Sequence, residues 1–585
     1  MSTEPVREAP APGPLQCGLA DEAHPETDEV VLAVDNIQGN ILGGFNKDFQ
    51  TLLFVRINNA AQFKAYLANS VIPLIATSAE VIAFNRLFKA LRDRRRNLPP
   101  DPDDEGESSP IKATWVNIAF TFEGLRQLTA TADQITDAAF KAGLASRSAQ
   151  LGDATDPNSE GHPNKWKVGG PHTDPVHAVL IVASDDKDDL DRLVKRLKNE
   201  LNKQGNGAKV VFEQPGANLP KKMGLGGHEH FGFLDGVSQP GIRGRISNDP
   251  HDVITVRQTP GHRDEKGKPG QDLLWPGEFV LGYPRQNPEP TDEGELNTEP
   301  GEISTAGPDW TKDGSFLVFR RLRQEVGGFH KFLKDEAAKL GTNPLFPDML
   351  GARLVGRWRS GAPVVRTPVA DNPDLAKDDC ANNNFEFGSG AELIPASAKT
   401  TPFDCSDDKT QPYGIGDEAG ERCPFAGHIR KAYPRDDESE TADQPTPDAP
   451  GCHSREVLNE SDTQTHRLLR RGIPFGEASK STPSDPKNDG KDRGLLFLAY
   501  QTSIERQFEF VTNCWVNNPD FKEIGAGHDP IIGQNNLSPD RKRHFKVNIS
   551  GGERTLETKA DWVIPTGGGY FFAPSISALM DVLSK

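Results

Sequence analysis

Short apolar runs alternate with helical periodicity over the first third of the chain, and this pattern limits the possible architecture more than any other feature. Residues 51–57, 114–121, 176–182 and 208–213 read as strands. Between them a helix is expected over residues 60–74, and another where Val81, Phe84, Leu87, Phe88 and Leu91 keep helical spacing. A third opens at residues 122–125, and Leu190, Leu193, Val194, Leu197 and Leu201 make one apolar stripe on a fourth. Ser184 is expected to cap that helix, with Asp185, Asp186, Asp188 and Asp189 at its positive end. Four strands interleaved with helices suit a ferredoxin-like α+β unit. They equally suit a doubly wound parallel sheet, and the alternation alone leaves both open.

A second unit follows. Residues 278–284, 315–322, 494–501 and 570–572 read as strands, and Val326, Phe329, Phe332, Leu333, Ala337 and Leu340 share one helical face. Residues 503–512 and 576–583 read as helical. The chain has 585 residues, more than one ordinary domain needs, with 47 Pro and 56 Gly and only 35% apolar residues. Folded cores joined by long polar loops are expected, notably at 98–111, 285–312, 360–420 and 434–465. The expected division is a disordered acidic tail over 1–28, an N-terminal unit over 29–245 and a C-terminal unit over 246–585.

The net charge of −18 argues against nucleic acid and against anionic membranes as partners. No apolar run reaches membrane-spanning length. The N-terminus lacks a basic start and an apolar stretch, so a cytoplasmic location is expected. Six cysteines, Cys17, Cys380, Cys405, Cys423, Cys452 and Cys514, show no zinc spacing. In so long a chain they are expected as free thiols.

One stretch, His228-Glu229-His230-Phe231-Gly232-Phe233-Leu234-Asp235-Gly236-Val237-Ser238-Gln239-Pro240-Gly241, sets a lone carboxylate between glycines. Gly232 and Gly236 permit positive φ, and Pro240 ends any regular element. The stretch reads as a tight, irregular loop presenting Asp235. Gly232-Phe233-Leu234-Asp235-Gly236 resembles the GxxDG motif of the dye-decolourising peroxidases, a haem enzyme family. Further pieces agree: residues 36–42, 315–322, Cys423-Pro424-Phe425-Ala426-Gly427-His428, Arg470 through Gly476, 494–501 and the Asp529-Pro530-Ile531-Ile532-Gly533-Gln534 run.

The resemblance implies two ferredoxin-like α+β units with antiparallel sheets packed together, and haem b in the C-terminal one. It implies His428 as the iron ligand, since a single proximal histidine holds iron in peroxidases, and Asp529 as the acceptor for its other ring nitrogen. Arg470, rather than Arg471, is expected over the haem, where a permanent positive charge helps cleave peroxide. Asp235 is expected to take the peroxide proton and return it to the leaving oxygen. Aspartate ordinarily titrates near ~3.9, below histidine, so an acidic optimum is expected. Leu495 and Phe497 are expected to line the distal wall, Arg430 to pair with a haem propionate, and Gln239 to join the cofactor-binding set. Phe475 stands where some relatives carry an oxidisable tyrosine.

The implied reaction is reduction of hydrogen peroxide with one-electron oxidation of aromatic dyes or phenols. Bulky dyes do not enter a small cavity, which implies oxidation at the surface. Two alternatives stand beside it: another haem enzyme of related fold, such as a chlorite dismutase, and a haem carrier without turnover. No dinucleotide, GxSxG, HExxH or Walker A motif occurs. The oligomeric state is not legible.

Overall fold

The computed structural model describes residues 29–96, 111–203, 207–256, 267–291, 296–388, 416–437 and 459–585, apart from single positions at 340, 342, 344, 380, 537, 539, 550 and 551. The expected tail over 1–28, and most of the loops at 98–111 and 434–465, lie outside the described residues. In the N-terminal half the strands are β1 (Phe49–Ile57), β2 (Thr114–Phe120), β3 (Ala178–Ser184) and β4 (Ala208–Ala217). Helices α1 (Ala60–Tyr66), α2 (Ser78–Arg96), α3 (Phe122–Leu128) and α4 (Lys187–Lys203) intervene. The C-terminal half holds β5 (Ser315–Gln324), α5 (Val326–Ala338), α6 (Phe346–Val355), α7 (His428–Ala432), β6 (Leu469–Arg470), β7 (Ile473–Phe475) and β8 (Gly494–Gln501). A hairpin of β9 (Arg543–Ile549) and β10 (Gly552–Thr558) precedes the long β11 (Val563–Ala573).

Nine strands form one antiparallel sheet in the order β4-β1-β3-β2-β11-β5-β8-β6, with β7 also on β8. Each half repeats the same ferredoxin-like order, and the parallel alternative is excluded. The halves join through the single pair Phe572↔Phe120. At the far edges β4 lies against β7: a Cβ on Gly216 would meet Ile473 Cγ2 at 2.8 Å and Pro474 O at 3.0 Å. The sheet therefore curls into a barrel whose two halves face each other.

Strand alternation explains the two layers of core. Leu52, Phe54, Ile181, Phe319, Leu498 and Phe571 point inward and form one buried cluster. Phe54 meets Phe319 at 5.0 Å and Phe571 at 6.4 Å between ring centres, linking the two halves. The alternate residues, such as Leu53, Leu180 and Val318, pack outward against helices, including Leu190, Val194 and Leu197 of α4.

Several sequence expectations need correction. Residues 278–284 are not a strand. Pro276–Glu278 is a 3-10 turn, Gly282 has φ +93°, and the apolar Phe279, Val280 and Leu281 are a buried loop. The side chain that caps α4 is Asp186, which accepts from the backbone N–H of Asp188 and Asp189 at 2.9 and 3.2 Å; Ser184 instead accepts from Asp186 N. The expected helix at 60–74 is α-helical only to Tyr66 and then passes into a π turn and a 3-10 turn. Cys423 is free, as expected, and buried, but Cys514 is disulfide-bonded, against the expectation of free thiols. Among the described residues no helix is long and apolar enough to cross a membrane.

Candidate active site

On the outer face of the C-terminal half-sheet lies a cavity of about 340 Å³, within the range of roughly 300–1,000 Å³ usual for ligand sites. The alternation that sends Leu496 and Leu498 into the barrel turns Leu495 and Phe497 of β8 into this cavity, beside Leu322 of β5. The opposite side of each strand thus builds the site.

The Asp235 loop forms another wall. Gly232 and Gly236 have φ of +93° and +76°, as the glycine pattern requires. The loop folds around Glu229, whose carboxylate accepts from Phe231 N and Phe233 N at 2.8 Å each, and from Gln324 Nε2 of β5. Burial pushes the Glu229 carboxyl above its usual range, against these hydrogen bonds. Phe231 packs on Phe329 of α5 at 4.6 Å. The turn is therefore pinned to both sheet and helix, and Asp235 emerges from it.

Arg470 ends β6. Its Nη1 donates to Asp235 Oδ1 at 3.1 Å and its Nη2 to Ser238 O at 3.0 Å. Arg471 points the other way, onto the carbonyls of Asn40, Ile41 and Leu42. Gln239 does not reach the cavity. Its side chain brackets the Arg470 backbone, donating to Arg470 O at 3.1 Å and accepting from Arg470 N at 3.3 Å. It lines instead a second hollow, of about 390 Å³, that also touches Asp235.

His428 opens α7. Its Nδ1 lies 2.8 Å from Asp529 Oδ2, and Asp529 is fully buried, with Oδ1 accepting from Ile531 N at 2.7 Å and Ile532 N at 3.0 Å. Nδ1 therefore carries the proton, and Nε2 has no hydrogen-bond partner among the described residues. The ring keeps 27% exposure, and it lines the cavity. Burial pulls the imidazole down, but the Asp529 charge and hydrogen bond outweigh it and hold His428 above the ordinary histidine value. Burial would raise Asp529; the imidazole and the two backbone donors bring it below the usual range. The charges of Arg470 and Asp235 both act on His428.

Arg430 is displaced from its expected role. Following His428 by two positions on α7, it points to the opposite side of the helix. It is 1% exposed, donating from Nε to Asp437 at 2.6 Å and from Nη1 to the carbonyls of Asp417 and Cys423 at 3.0 and 2.9 Å. The cavity's cations are instead Arg320, Arg357, Arg435 and Arg467, alongside Arg470. Nothing local in the sequence marks these four; Glu229 stood in the same stretch as Asp235 but carried no signal of its own.

An imidazole with one nitrogen fixed and one free, a carboxylate–guanidinium pair and an apolar wall on an α+β barrel define a class: a haem-dependent oxidoreductase. A model described as the DyP dimeric alpha+beta barrel domain matches residues 36–216, and one described as Dyp-type peroxidase, C-terminal, matches residues 416–523. Dye-decolorizing peroxidase msp1 of Mycetinis scorodonius is 32% identical, covering 100% of this chain and 93% of that protein. The dye-decolorizing peroxidase of Exidia glandulosa is also 32% identical, over 94% of this chain and 87% of its own. The structure of an ancestral D-type dye decolorizing peroxidase superposes with a TM-score of 0.69 at 33% identity, covering 95% of this chain and 100% of that one. The chain belongs to the dye-decolourising peroxidase family.

The residues present fit the family's haem. Leu322, Leu495 and Phe497 give a flat macrocycle an apolar bed, and His428 Nε2 is free to bind iron. Arg357 and Arg435 on the cavity wall would supply cations for the carboxylates that such a macrocycle carries.

Proposed function

We propose that this protein reduces hydrogen peroxide at haem b bound through His428, and oxidises bulky dyes and phenols in one-electron steps. The observation that carries the reading is the contact of Arg470 with Asp235 at 3.1 Å, on the wall of the same cavity that receives the free face of the His428 ring. A related structure at 29% identity and a TM-score of 0.64, over 95% of this chain and 100% of that one, is a dye-decolorizing peroxidase in complex with 2,6-dimethoxyphenol, which supports a phenolic donor.

Haem supplies the redox chemistry: two electrons to peroxide, returned one at a time by donors. The protein's own residues manage charge and protons. Asp235 takes a proton from peroxide and hands it to the leaving oxygen, a service typically worth roughly 10²–10⁴-fold. Arg470 orients that carboxylate and sets a permanent cation beside the oxygen that gains charge. Asp529 fixes the His428 tautomer and makes the ring a stronger donor. Arg357 and Arg435 would hold the haem carboxylates.

The test is an absorption spectrum of purified protein, alone and as His428→Ala. A haem band that peroxide perturbs is expected in the native protein and lost or shifted in the variant. An unaltered spectrum in His428→Ala would remove this residue from the iron. A haem band that peroxide leaves unchanged would favour a carrier.

A further inference from the structure

One group on the cavity wall has no part in the chemistry above. Tyr433 caps the C-terminus of α7, the helix that His428 opens, and lines the same cavity. Its hydroxyl donates to the carboxylate of Asp272, which is 2% exposed. Arg467 forms an ion pair with that same carboxylate and lies over the Tyr433 ring, 3.5 Å from its centre. Arg435 flanks the ring at 5.6 Å. The carbonyl of Asp272 also holds Gly241 N at 2.8 Å, which ties the trio to the end of the Asp235 loop.

A phenol loses an electron readily only if its proton leaves at the same time, because a protonated phenoxyl cation is far too acidic to persist. Tyr433 has what that requires: a buried carboxylate already hydrogen-bonded to its O–H. The Asp272 carboxylate lies directly against the phenol O–H, placed to take the proton as the electron leaves. The same guanidinium opposes build-up of positive charge on the ring, which selects proton-coupled loss over simple ionisation. Tyr283 and Tyr570 also donate to buried carboxylates, Asp313 at 2.6 Å and Glu509 at 2.8 Å, but neither lines the cavity, so Tyr433 alone of the three stands beside the cofactor site.

We infer that Tyr433 is a redox-active residue of this site, giving an electron to the peroxide-oxidised cofactor while its proton passes to Asp272. The inference rests on the peroxidase reading above. In the forward step the O–H bond breaks, one electron reduces the cofactor, and Asp272 becomes a carboxylic acid beside a neutral phenoxyl radical. An electron from a phenolic or dye donor then reduces the radical, the ring takes its proton back from Asp272, and the donor's own proton goes to solvent.

The test mixes the haem-loaded enzyme with hydrogen peroxide in the absence of donor, freezes it, and records electron paramagnetic resonance alongside the absorption spectrum. Tyr433→Phe keeps the ring and its stacking with Arg467, and equal haem content in the two proteins shows that the site is intact. A tyrosyl signal is expected in the native enzyme, narrowed by ring-deuterated tyrosine and lost in Tyr433→Phe. The oxidised cofactor should also persist longer in the variant. An absorption change with peroxide, but a radical signal absent from the native enzyme or unaltered in Tyr433→Phe, would overturn the assignment and leave the peroxidase reading standing. No absorption change with peroxide would overturn both.

Discussion

Acid should loosen the loop that presents Asp235, and two buried histidines give the magnitude. His230, 5% exposed, sits inside the loop and donates from Nε2 to Phe475 O on β7 at 2.8 Å, while its Nδ1 is buried without a hydrogen-bond partner. His330 of α5, 1% exposed, holds the same loop through Phe231 O at 3.1 Å, while its other ring nitrogen meets Ser481 Oγ at 3.0 Å. Burial lowers each ring from 6.5 to about 4, with Arg493 near His230 and Arg359 near His330 acting in the same direction. Above pH 6.5 both states of the protein hold these rings neutral and nothing depends on pH. Below it the unfolded chain binds protons that the folded chain refuses. Stability then falls by ~1.4 kcal/mol per pH unit for each ring until the folded rings titrate as well. Between pH 6.5 and about 4 the loss is roughly 3 kcal/mol for each histidine. Twice that is a large share of the ~5–15 kcal/mol that holds a folded protein together.

Urea denaturation at pH 7, 6, 5 and 4 measures this directly. His230→Gln with His330→Gln keeps N–H donors in place and removes the titration. The double variant should lose stability less steeply on acidification, by about 1.4 kcal/mol per pH unit for each substitution. It should keep the slope due to His528, which burial lowers to about 3. Parallel curves for native and variant would refute the reasoning. An acidic optimum favoured by an aspartate base would then be bounded below by this loss of the loop, and the acid limb of activity should follow the unfolding curve.

Two further outcomes follow from the structure. Asp235→Asn should lower kcat/KM for peroxide by roughly 10²–10⁴-fold with haem content unchanged, measured by steady-state kinetics with a small phenolic donor; a smaller loss would point to another proton carrier. Phe54→Ala should cost about 3–5 kcal/mol by denaturant titration, because that ring joins β1 to Phe319 and Phe571 of the other half; a cost below about 1 kcal/mol would mean the halves do not share a core.

Periodicity made much of the fold legible. The stripe on α4 appears as buried Leu190, Val194, Leu197 and Leu201, and the alternation along β8 separates barrel residues from cavity residues. The loop around Asp235 was readable because glycine at positive φ leaves a mark in composition. Residues 278–284 misled, since an apolar run buried as a loop has the same composition as one buried as a strand. Arg430 misled for a related reason. Its helix begins only at His428, and a single turn gives no period from which to tell which side faces the ligand.

Local rules, then, settled most of the strands, which helices carry apolar stripes, and where one carboxylate is lifted out of a tight turn. These depend on neighbours in the chain, so the chain alone expresses them. Tertiary structure decided the antiparallel order, the closure of the barrel through one strand pair, and the meeting of Asp235 with Arg470 and of His428 with Asp529, residues far apart in sequence. It also decided which arginines face the cavity and that Tyr433 finds Asp272. A charged side chain's direction is set by the partner it reaches across space, and no spacing along the chain encodes that partner.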